Sequence, residues 1–194
     1  MSRTAQAGAC VSDAARRLIN SGAHLQALVD DLVDFNRTNL GLGINIVRGP
    51  ADLGAICAEE LEQLRVAYPE SSLELSVNGD CQGSWDARRV EQLLGNLVVN
   101  AIHYGLPHAP VRVAVIGGKV DVRIEVSNSG SPVDPATLMQ LFEPLKRGPA
   151  NKRHAGSGLG LYIVREIAKA HAGTAEARSD DRETVFTVRL PRGE

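Results

Sequence analysis

Two neighbouring segments of alternating residues constrain the fold of this chain more than any other feature. VRVAVIGG covers residues 111–118, and KVDVRIEVSNSG covers residues 119–130. Both segments alternate in the way that is typical of strands with one buried face. The Gly117–Gly118 pair between them is typical of a turn. Because the two strands follow each other directly, the pattern favours consecutive hairpins over repeated strand–helix–strand units.

Helical segments alternate with strands along the rest of the chain. A long helix is predicted over residues 12–39, where Leu18, Leu25 and Leu32 recur every seven residues, with Ser21, Leu28 and Phe35 at the offset positions. The other predicted elements are helices over 50–67, 86–104, 135–142 and 158–172, strands over 72–79 and 84–86, and a closing hairpin over 174–191. They predict an α+β fold, a two-layer α/β sandwich with a mixed sheet and helices on one face, preceded by one long helix.

Composition and charge disfavour several classes of function. The 194 residues carry 21 Lys and Arg against 23 Asp and Glu, and aromatic residues make up 4%. A nucleic-acid surface needs clustered basic and aromatic side chains, so we expect no nucleic-acid partner. No apolar run approaches the roughly 20 residues of a membrane span, and no cysteine pair has CxxC spacing. We therefore expect a cytoplasmic chain without direct membrane contact; any anchor would belong to a longer parent protein.

Two asparagines interrupt the apolar pattern of the helix predicted over 86–104. Asn96 and Asn100 lie four residues apart, among Leu97, Val98 and Ile102. An amide in an apolar environment requires hydrogen-bond partners, because burying it unpaired costs free energy. Residues four apart share one face of a helix. The pair is therefore either a set of satisfied core amides or part of a ligand site.

Two glycine-containing segments supply further motifs. GSGLGL at 156–161 directly precedes a predicted helix, where backbone N–H groups and the helix dipole favour a phosphate. It is not a Walker loop because no GK[ST] follows, and by itself it is equally typical of a tight turn. Asn128 and Gly130 follow a strand, which alone indicates an ordinary turn.

Taken in order, these segments resemble the ATP-binding domain of sensor histidine kinases, a fold shared with Hsp90, DNA gyrase B and MutL. DARRVEQLLGNLVVNAIHYG at 86–105 is similar to the N box of that family, and NSGSPV at 128–133 to its first glycine box. The remaining similar segments are LFEPLKRG at 141–148 to the F box, GSGLGLYIVREI at 156–167 to the second glycine box, and TVFTVRLP at 184–191 to the last strand.

The resemblance also implies how the chain is divided. LVDDLVDFNRTNLG at 28–41 resembles the second helix of the kinase dimerisation hairpin. Residues 1–48 would form this partial dimerisation helix, and residues 49–194 the ATP-binding catalytic domain. The heptad positions within 15–37 would allow a homodimer.

The resemblance further implies a site for Mg²⁺ and ATP between the asparagine helix and a lid. Asn100 would ligate Mg²⁺ through its side-chain oxygen, and Asn96 would support the metal or the phosphates and is the candidate catalytic residue. The adenine would be read by Asn128, with Gly130, Val133 and Thr184 around it.

The remaining implied residues surround the phosphates and the ribose. They are His103, Tyr104, Arg147, Gly156, Ser157, Gly158, Leu159, Gly160 and Leu161. Structural alternatives stay open for three of them: His103 as a partner of terminal helix carbonyls, Tyr104 as core, and Arg147 as a solvated charge.

Four positions depart from the family pattern. The family usually has Asp where this chain has Asn128, Gly where it has Pro132 and Glu183, and often Lys where it has His103. The Asn128 amide oxygen can still accept an N–H from adenine, but it lacks the charge of a carboxylate. We therefore expect ATP to bind with modest affinity.

The phosphoacceptor segment of the family has no counterpart in the sequence. His24 is followed by LQAL rather than by an acidic residue, and it lies on the wrong helix of the hairpin. His108, His154 and His171 look structural or exposed. The resemblance therefore implies that the γ-phosphoryl goes to a histidine outside this chain, on a dimerisation domain that works with a response regulator in a phosphorelay.

Two other functions stay open at this point. The chain would be a non-catalytic nucleotide-binding module if it engaged a kinase dimer or a regulator through its heptad helix without transferring phosphate. ATP hydrolysis is disfavoured, because it needs a carboxylate near the position of Asn96. The nearest acid, Glu91, lies five residues upstream on a different face of the helix.

Overall fold

The computed structural model describes residues 22, 25–145 and 157–193, and a five-stranded mixed sheet runs through them. The strands are β1 Gly49–Asp52, β2 Leu73–Asn78, β3 Gln82–Trp85, β4 Val111–Gly117, β5 Asp121–Ser129, β6 Thr174–Ser179 and β7 Glu183–Pro191. The sheet has the order β2-β4-β5-β7-β6, in which only the β2–β4 pair is parallel. Strands β1 and β3 form a separate antiparallel pair.

The predicted hairpin at Gly117–Gly118 is confirmed. Strands β4 and β5 pair antiparallel with Val113 opposite Val126, and the Gly118 N–H donates to the Asp121 carbonyl at 2.8 Å. Gly117 is required here, because a Cβ at this position would lie 1.8 Å from the carbonyl oxygen of Asp80. The alternation of both strands directs their buried valine and isoleucine side chains to one face of the sheet.

The helices cover that apolar face. They are α1 over 25–39, α2 Leu53–Ala67, α3 Ala87–Tyr104, α4 Pro135–Leu138 and α5 Gly160–Ala170. Helices α2, α3 and α5 share one apolar core with the sheet, and α3 contacts both α2 and α5. The two-layer α+β sandwich with helices on one face is therefore confirmed. None of the helices in the described ranges is long and apolar enough to cross a membrane.

The ends of two predicted helices are wrong. Helix α2 begins at Leu53 and not at Pro50–Ala51, because Gly49–Asp52 pairs with β3. The Asp52 carboxylate then caps α2, accepting the Gly54 N–H at 2.8 Å. Helix α4 ends at Leu138, and the chain continues to Phe142 in turns.

Helix α1 packs against α3 and α5 and leaves two of its heptad leucines exposed. Leu25 and Leu32 of the heptad pattern are 62% and 58% exposed. Phe35 instead packs edge-on against Tyr162 of α5, with ring centroids 5.7 Å apart, and the Tyr162 hydroxyl donates to Thr38 Oγ1 at 2.8 Å. The part of the predicted helix before Leu25, including Leu18 and His24, lies outside the described residues except Gly22, which is helical.

Glu60 is a partly buried acid between α2 and α3. Its Oε1 would lie 3.0 Å from a Cβ at Gly95, so the glycine allows the two helices to approach. Burial, and secondarily the charge of Glu91, raises the pKa of Glu60 to about 7 from 4.5. The folded chain thus holds this proton more tightly than the unfolded chain.

We predict that the contribution of Glu60 to the stability of the fold falls as the pH rises. The contribution of the neutral Glu60 side chain is fully present below pH 4.5 and is lost as the pH passes through about 7. Glu60→Gln should remove this dependence and stabilise the fold by about 1 kcal/mol at pH 8, after allowance for solvent screening. Urea unfolding between pH 4.5 and 8.5 measures the effect.

The control is Glu59→Gln, which makes the same charge change at the neighbouring exposed position. It should leave the pH dependence of the unfolding free energy as in the parent chain. An equal response of the two variants would mean that Glu60 is not the group responsible.

Candidate functional site

Helix α3 places the two asparagines on its less buried side. Leu93, Leu94, Leu97, Val98 and Ala101 form the buried stripe of α3. Asn96 and Asn100 lie one turn apart and are both half-buried. Among the described residues, no side-chain hydrogen bond to Asn100 is found. The two amides therefore lie at the edge of the core and not inside it. A role of either amide at a ligand stays a prediction.

Asn96 joins three elements of the structure. Its Nδ2 donates to Asp31 Oδ1 of α1 at 3.5 Å. On the other side, a Cβ added at Gly160 would lie 3.2 Å from Asn96 Oδ1. The asparagine helix and the second glycine box, which are 64 residues apart in sequence, thus meet at the first residue of α5.

The described part of the glycine box forms a tight loop before α5. Gly158 has a φ of +72°, and its carbonyl accepts the Leu145 N–H at 3.0 Å. Ser157 Oγ accepts the Leu159 N–H at 3.2 Å. No side chain of the described residues caps the first turn of α5, so its amide donors remain available to a ligand. Leu159 is buried and Leu161 half-buried, so they anchor the loop.

A second polar cluster lies at the edge where β5 and β6 end and β7 begins. Asn128 and Thr184 are opposite each other in the β5–β7 register, and each is only 5% exposed. Thr184 Oγ1 lies 2.8 Å from Ser179 Oγ, which accepts the Val133 N–H at 3.0 Å. The structure thus brings together three residues expected at an adenine, and adds Ser179.

Gly130 and Tyr104 connect this cluster to the end of α3. A Cβ at Gly130 would lie 3.2 Å from the Tyr104 carbonyl oxygen and 3.4 Å from Asn128 Nδ2. The Asn128 Nδ2 donates to the Ser129 carbonyl at 3.4 Å. A cavity of about 220 Å³ borders Asn128 here, between the C-terminal end of α3 and the chain that follows it.

The structure gives less information about the other predicted site residues. The His103 ring packs edge-on against Tyr68, with centroids 6.4 Å apart, and the Tyr104 side chain is 47% exposed, so it is not core. Arg147 and Gly156 lie outside the described residues. Roles of these four residues at a phosphate or ribose stay predictions.

Residue types alone did not identify the acidic partners of α3. We call Asp31 and Asp34 the acidic stripe of α1; they are 5% and 3% exposed. Asp34 forms a two-bond ion pair with Arg89, at 2.5 and 3.1 Å. Gln92 Nε2 lies 3.2 Å from both Asp31 Oδ1 and Asp34 Oδ2. The sequence contained one signal that could have identified them: Asp31 and Asp34 are two acids three residues apart on a helix with an apolar pattern.

Burial has the largest effect on the protonation of Asp31. It raises the pKa of the Asp31 carboxyl, and the hydrogen bonds from Gln92 and Asn96 partly oppose that rise. A buried carboxylate requires partners, and the two acids meet this in different ways: Asp34 is ion-paired with Arg89, whereas Asp31 is hydrogen-bonded by two amides.

The donor set of the site fits a metal that arrives with phosphate. In the described ranges, no group of three or more His, Cys, Asp or Glu side chains could hold a metal ion. Asn96 and Asn100 offer neutral amide oxygens, which Mg²⁺ accepts as ligands when phosphates supply the charge. These two amide oxygens could therefore serve as ligands to a metal that is already bound to phosphate.

Comparison with known proteins agrees with this geometry. The chain is 34% identical over 173 residues to the bacteriophytochrome of Pseudomonas aeruginosa, covering 88% of this chain and 24% of that protein. It is 32% identical over 185 residues to the probable sensor histidine kinase TcrY of Mycobacterium tuberculosis, covering 93% of this chain and 38% of that protein. The chain thus spans a quarter to two fifths of these two relatives.

A solved structure extends the comparison to three dimensions. Full-length ShkA, solved in complex with AMPPNP, matches with a TM-score of 0.72 at 25% identity, over 88% of this chain and 36% of that one. The sequence profile of the histidine kinase-, DNA gyrase B- and HSP90-like ATPases matches residues 85–194, more than half of the chain. The chain therefore belongs to this ATPase family and carries the ATP-binding catalytic domain of the sensor histidine kinases.

Proposed function

We propose that the chain binds ATP with Mg²⁺ and donates the γ-phosphoryl group to a histidine outside its 194 residues, as the catalytic part of a two-component sensor kinase. The contact between Asn96 and Gly160 carries this proposal, because it joins the N box to the second glycine box. Phosphoryl transfer asks the protein mainly for positioning and electrostatic stabilisation, and both segments supply donors for that purpose.

The buried cluster at Asn128 is suited to the base. The Asn128 amide oxygen can accept a hydrogen bond from the adenine amino group, and Thr184 and Ser179 provide hydroxyls beside it. Gly130 leaves space between the Tyr104 carbonyl and the Asn128 side chain, and Val133, whose N–H donates to Ser179, would contribute an apolar wall. The AMPPNP in the ShkA structure supports assigning a nucleotide to this fold.

The phosphates would lie between α3 and the start of α5. The proposed contacts are the backbone N–H groups of residues 156–161, together with His103, Arg147 and, beside the ribose, Tyr104. Asn100 and Asn96 would hold Mg²⁺, which would neutralise charge on the phosphates when bound. The first-turn amides of α5 would add donors aimed at the same anion.

Transfer is favoured over hydrolysis by the groups around Asn96. Activating a water requires a general base close to it, and the position holds an amide. The acid nearest to Asn96 in the hydrogen-bond network is Asp31, whose carboxylate already accepts from Gln92 and Asn96. We therefore assign Asn96 to support of the phosphates or the metal.

The proposed assembly uses α1 and a response regulator. Leu25, Val29 and Leu32 leave an apolar seam exposed on α1, which suits a second copy of the kinase dimerisation helix. We propose a domain boundary near residue 48, directly before β1 begins at Gly49. We propose a cytoplasmic location, since Cys57 and Cys81 are buried free thiols.

One prediction of this function concerns which protein receives the phosphoryl group. The chain, Mg²⁺ and γ-labelled ATP are mixed with a separate kinase hairpin that carries an acceptor histidine. Acid-labile label should appear on the hairpin and not on the chain. Asn100→Ala should lower the initial rate by at least about tenfold, because the metal-loaded phosphates lose a ligand.

Different outcomes have different meanings in this assay. Label on neither protein, with ATP binding shown by calorimetry, would favour the non-catalytic module. Label on the chain that disappears in His24→Ala would make His24 the acceptor. Absence of nucleotide binding at millimolar ATP would overturn the proposed function as a whole.

Another prediction concerns Asn128, which stands in the proposed base pocket where the family usually has an aspartate. Asn128→Asp should tighten ATP binding by about three- to tenfold, because a charged acceptor strengthens the bond to the adenine amino group. It should not tighten GTP, which has no amino group at that position. In the absence of nucleotide the variant should melt at a lower temperature, because it buries a charge.

Ser127→Asp is the matched control for that variant. Residue 127 precedes Asn128 on β5, so its side chain points to the opposite face of the sheet. It should leave the ATP and GTP affinities unchanged. A similar gain in both variants would show that general charge, and not the adenine contact, is responsible.

A further inference from the structure

The acidic stripe of α1 reaches the proposed nucleotide site through one amide. Asp31 Oδ1 accepts from Asn96 Nδ2 at 3.5 Å and from Gln92 Nε2 at 3.2 Å. Asp34 and Arg89 fix the helix a turn away through their ion pair. Asp31 is therefore a buried acid that two amides of α3 hold in place.

This contact determines which end of the Asn96 amide faces α5. The nitrogen faces Asp31, and the oxygen lies on the side of Gly160, where an added Cβ would lie 3.2 Å from Oδ1 and 3.3 Å from Cγ. A carboxylate accepts hydrogen bonds and does not donate them, so it holds the nitrogen and repels the oxygen. The opposite amide orientation would set two acceptors against each other.

The two ends of the amide have opposite chemistry. The oxygen can ligate a hard cation, whereas the NH₂ group can only donate, for example to a phosphate oxygen. An Asn96 side chain without its partner on α1 would be able to present either end. Its usefulness at a metal-loaded phosphate therefore depends on which end is directed there.

We propose that Asp31 is a positioning residue of the nucleotide site. By holding Asn96 Nδ2, it directs Asn96 Oδ1 towards Gly160 and the metal-loaded phosphates bound there. This role rests on the proposed Mg²⁺–ATP function. It makes α1, which lies outside the family match at 85–194, a contributor to the catalytic site.

The experiment compares ATP affinity with and without metal. Calorimetry on the whole chain, with Mg²⁺ or with EDTA, is run for the parent, Asp31→Ala, Asp31→Asn and Asp30→Ala. Asp31→Ala should weaken Mg²⁺–ATP by about fivefold, and metal-free ATP should change by less than about twofold. Asp31→Asn keeps an acceptor oxygen and should restore most of the affinity.

Charge by itself predicts the opposite result. Removing an acid near a phosphate site favours the anion, so a general charge effect would tighten ATP in both Asp31→Ala and Asp30→Ala. Asp30 is the adjacent acid, bonded to Gln26 on α1 and not to α3, and serves as the matched control. Asp30→Ala should leave the ratio of metal-bound to metal-free affinity unchanged.

Two further readouts separate positioning from a structural role. Asp31→Ala combined with Asn96→Ala should weaken Mg²⁺–ATP no more than Asn96→Ala alone, because both act through one amide. In the nucleotide-free protein, the Asn96 side-chain NH₂ resonances should shift in Asp31→Ala and stay in place in Asp30→Ala. Thermal unfolding verifies that the variants fold.

Three results would overturn the proposal, and they have different consequences for the proposed function. If the parent binds Mg²⁺–ATP and Asp31→Ala binds it equally well, the positioning role fails and the proposed function survives. If the effects of Asp31→Ala and Asn96→Ala simply add, Asp31 acts by another route and the role also fails. If the parent binds no nucleotide, both the function and the role fail.

Discussion

The burial of one stripe of α3 governs the rest of this structure. Leu93, Leu97 and Ala101 face the sheet and the neighbouring helices without solvent exposure, and this packing fixes the rotation of α3 about its axis. The side chains of Asn96 and Asn100 are then directed to the rim of the layer. Helix α5 packs against α3 so closely at Gly160 that a methyl group would crowd the Asn96 amide. The core thereby sets the geometry of the polar site.

Local patterns in the sequence predict part of the sheet well. Alternation identifies β4 and β5, and their two-glycine turn fixes the register between these two strands. The register that sets Asn128 opposite Thr184 joins β5 to β7 across more than 50 residues of chain, so it does not follow from short-range information. The boundary of α2 was not predictable from such information either. Gly49–Asp52 becomes a strand only because β3 lies beside it, which is a contact across more than 30 residues of chain.

The orientation of α1 was likewise beyond local reasoning. A heptad pattern shows that a helix has an apolar side, but it does not show which side meets the rest of the chain. The buried Asp34–Arg89 pair decides this, and its residues are 55 positions apart. A buried ion pair is weak evidence for stability, yet losing one partner leaves an uncompensated charge, so it disfavours other docked orientations strongly. His103 shows the same limit, since its ring contact with Tyr68 depends on how α2 and α3 pack.

The two sides of α1 have a mechanical consequence. The polar side is attached to α3 and α5, and the apolar seam is exposed to a second helix. A rigid helix transmits torque along its axis, and one residue corresponds to about 100° of turn. Twisting the seam from outside would therefore displace the Asp31 carboxylate sideways relative to α3 and alter its hydrogen bond with the Asn96 amide.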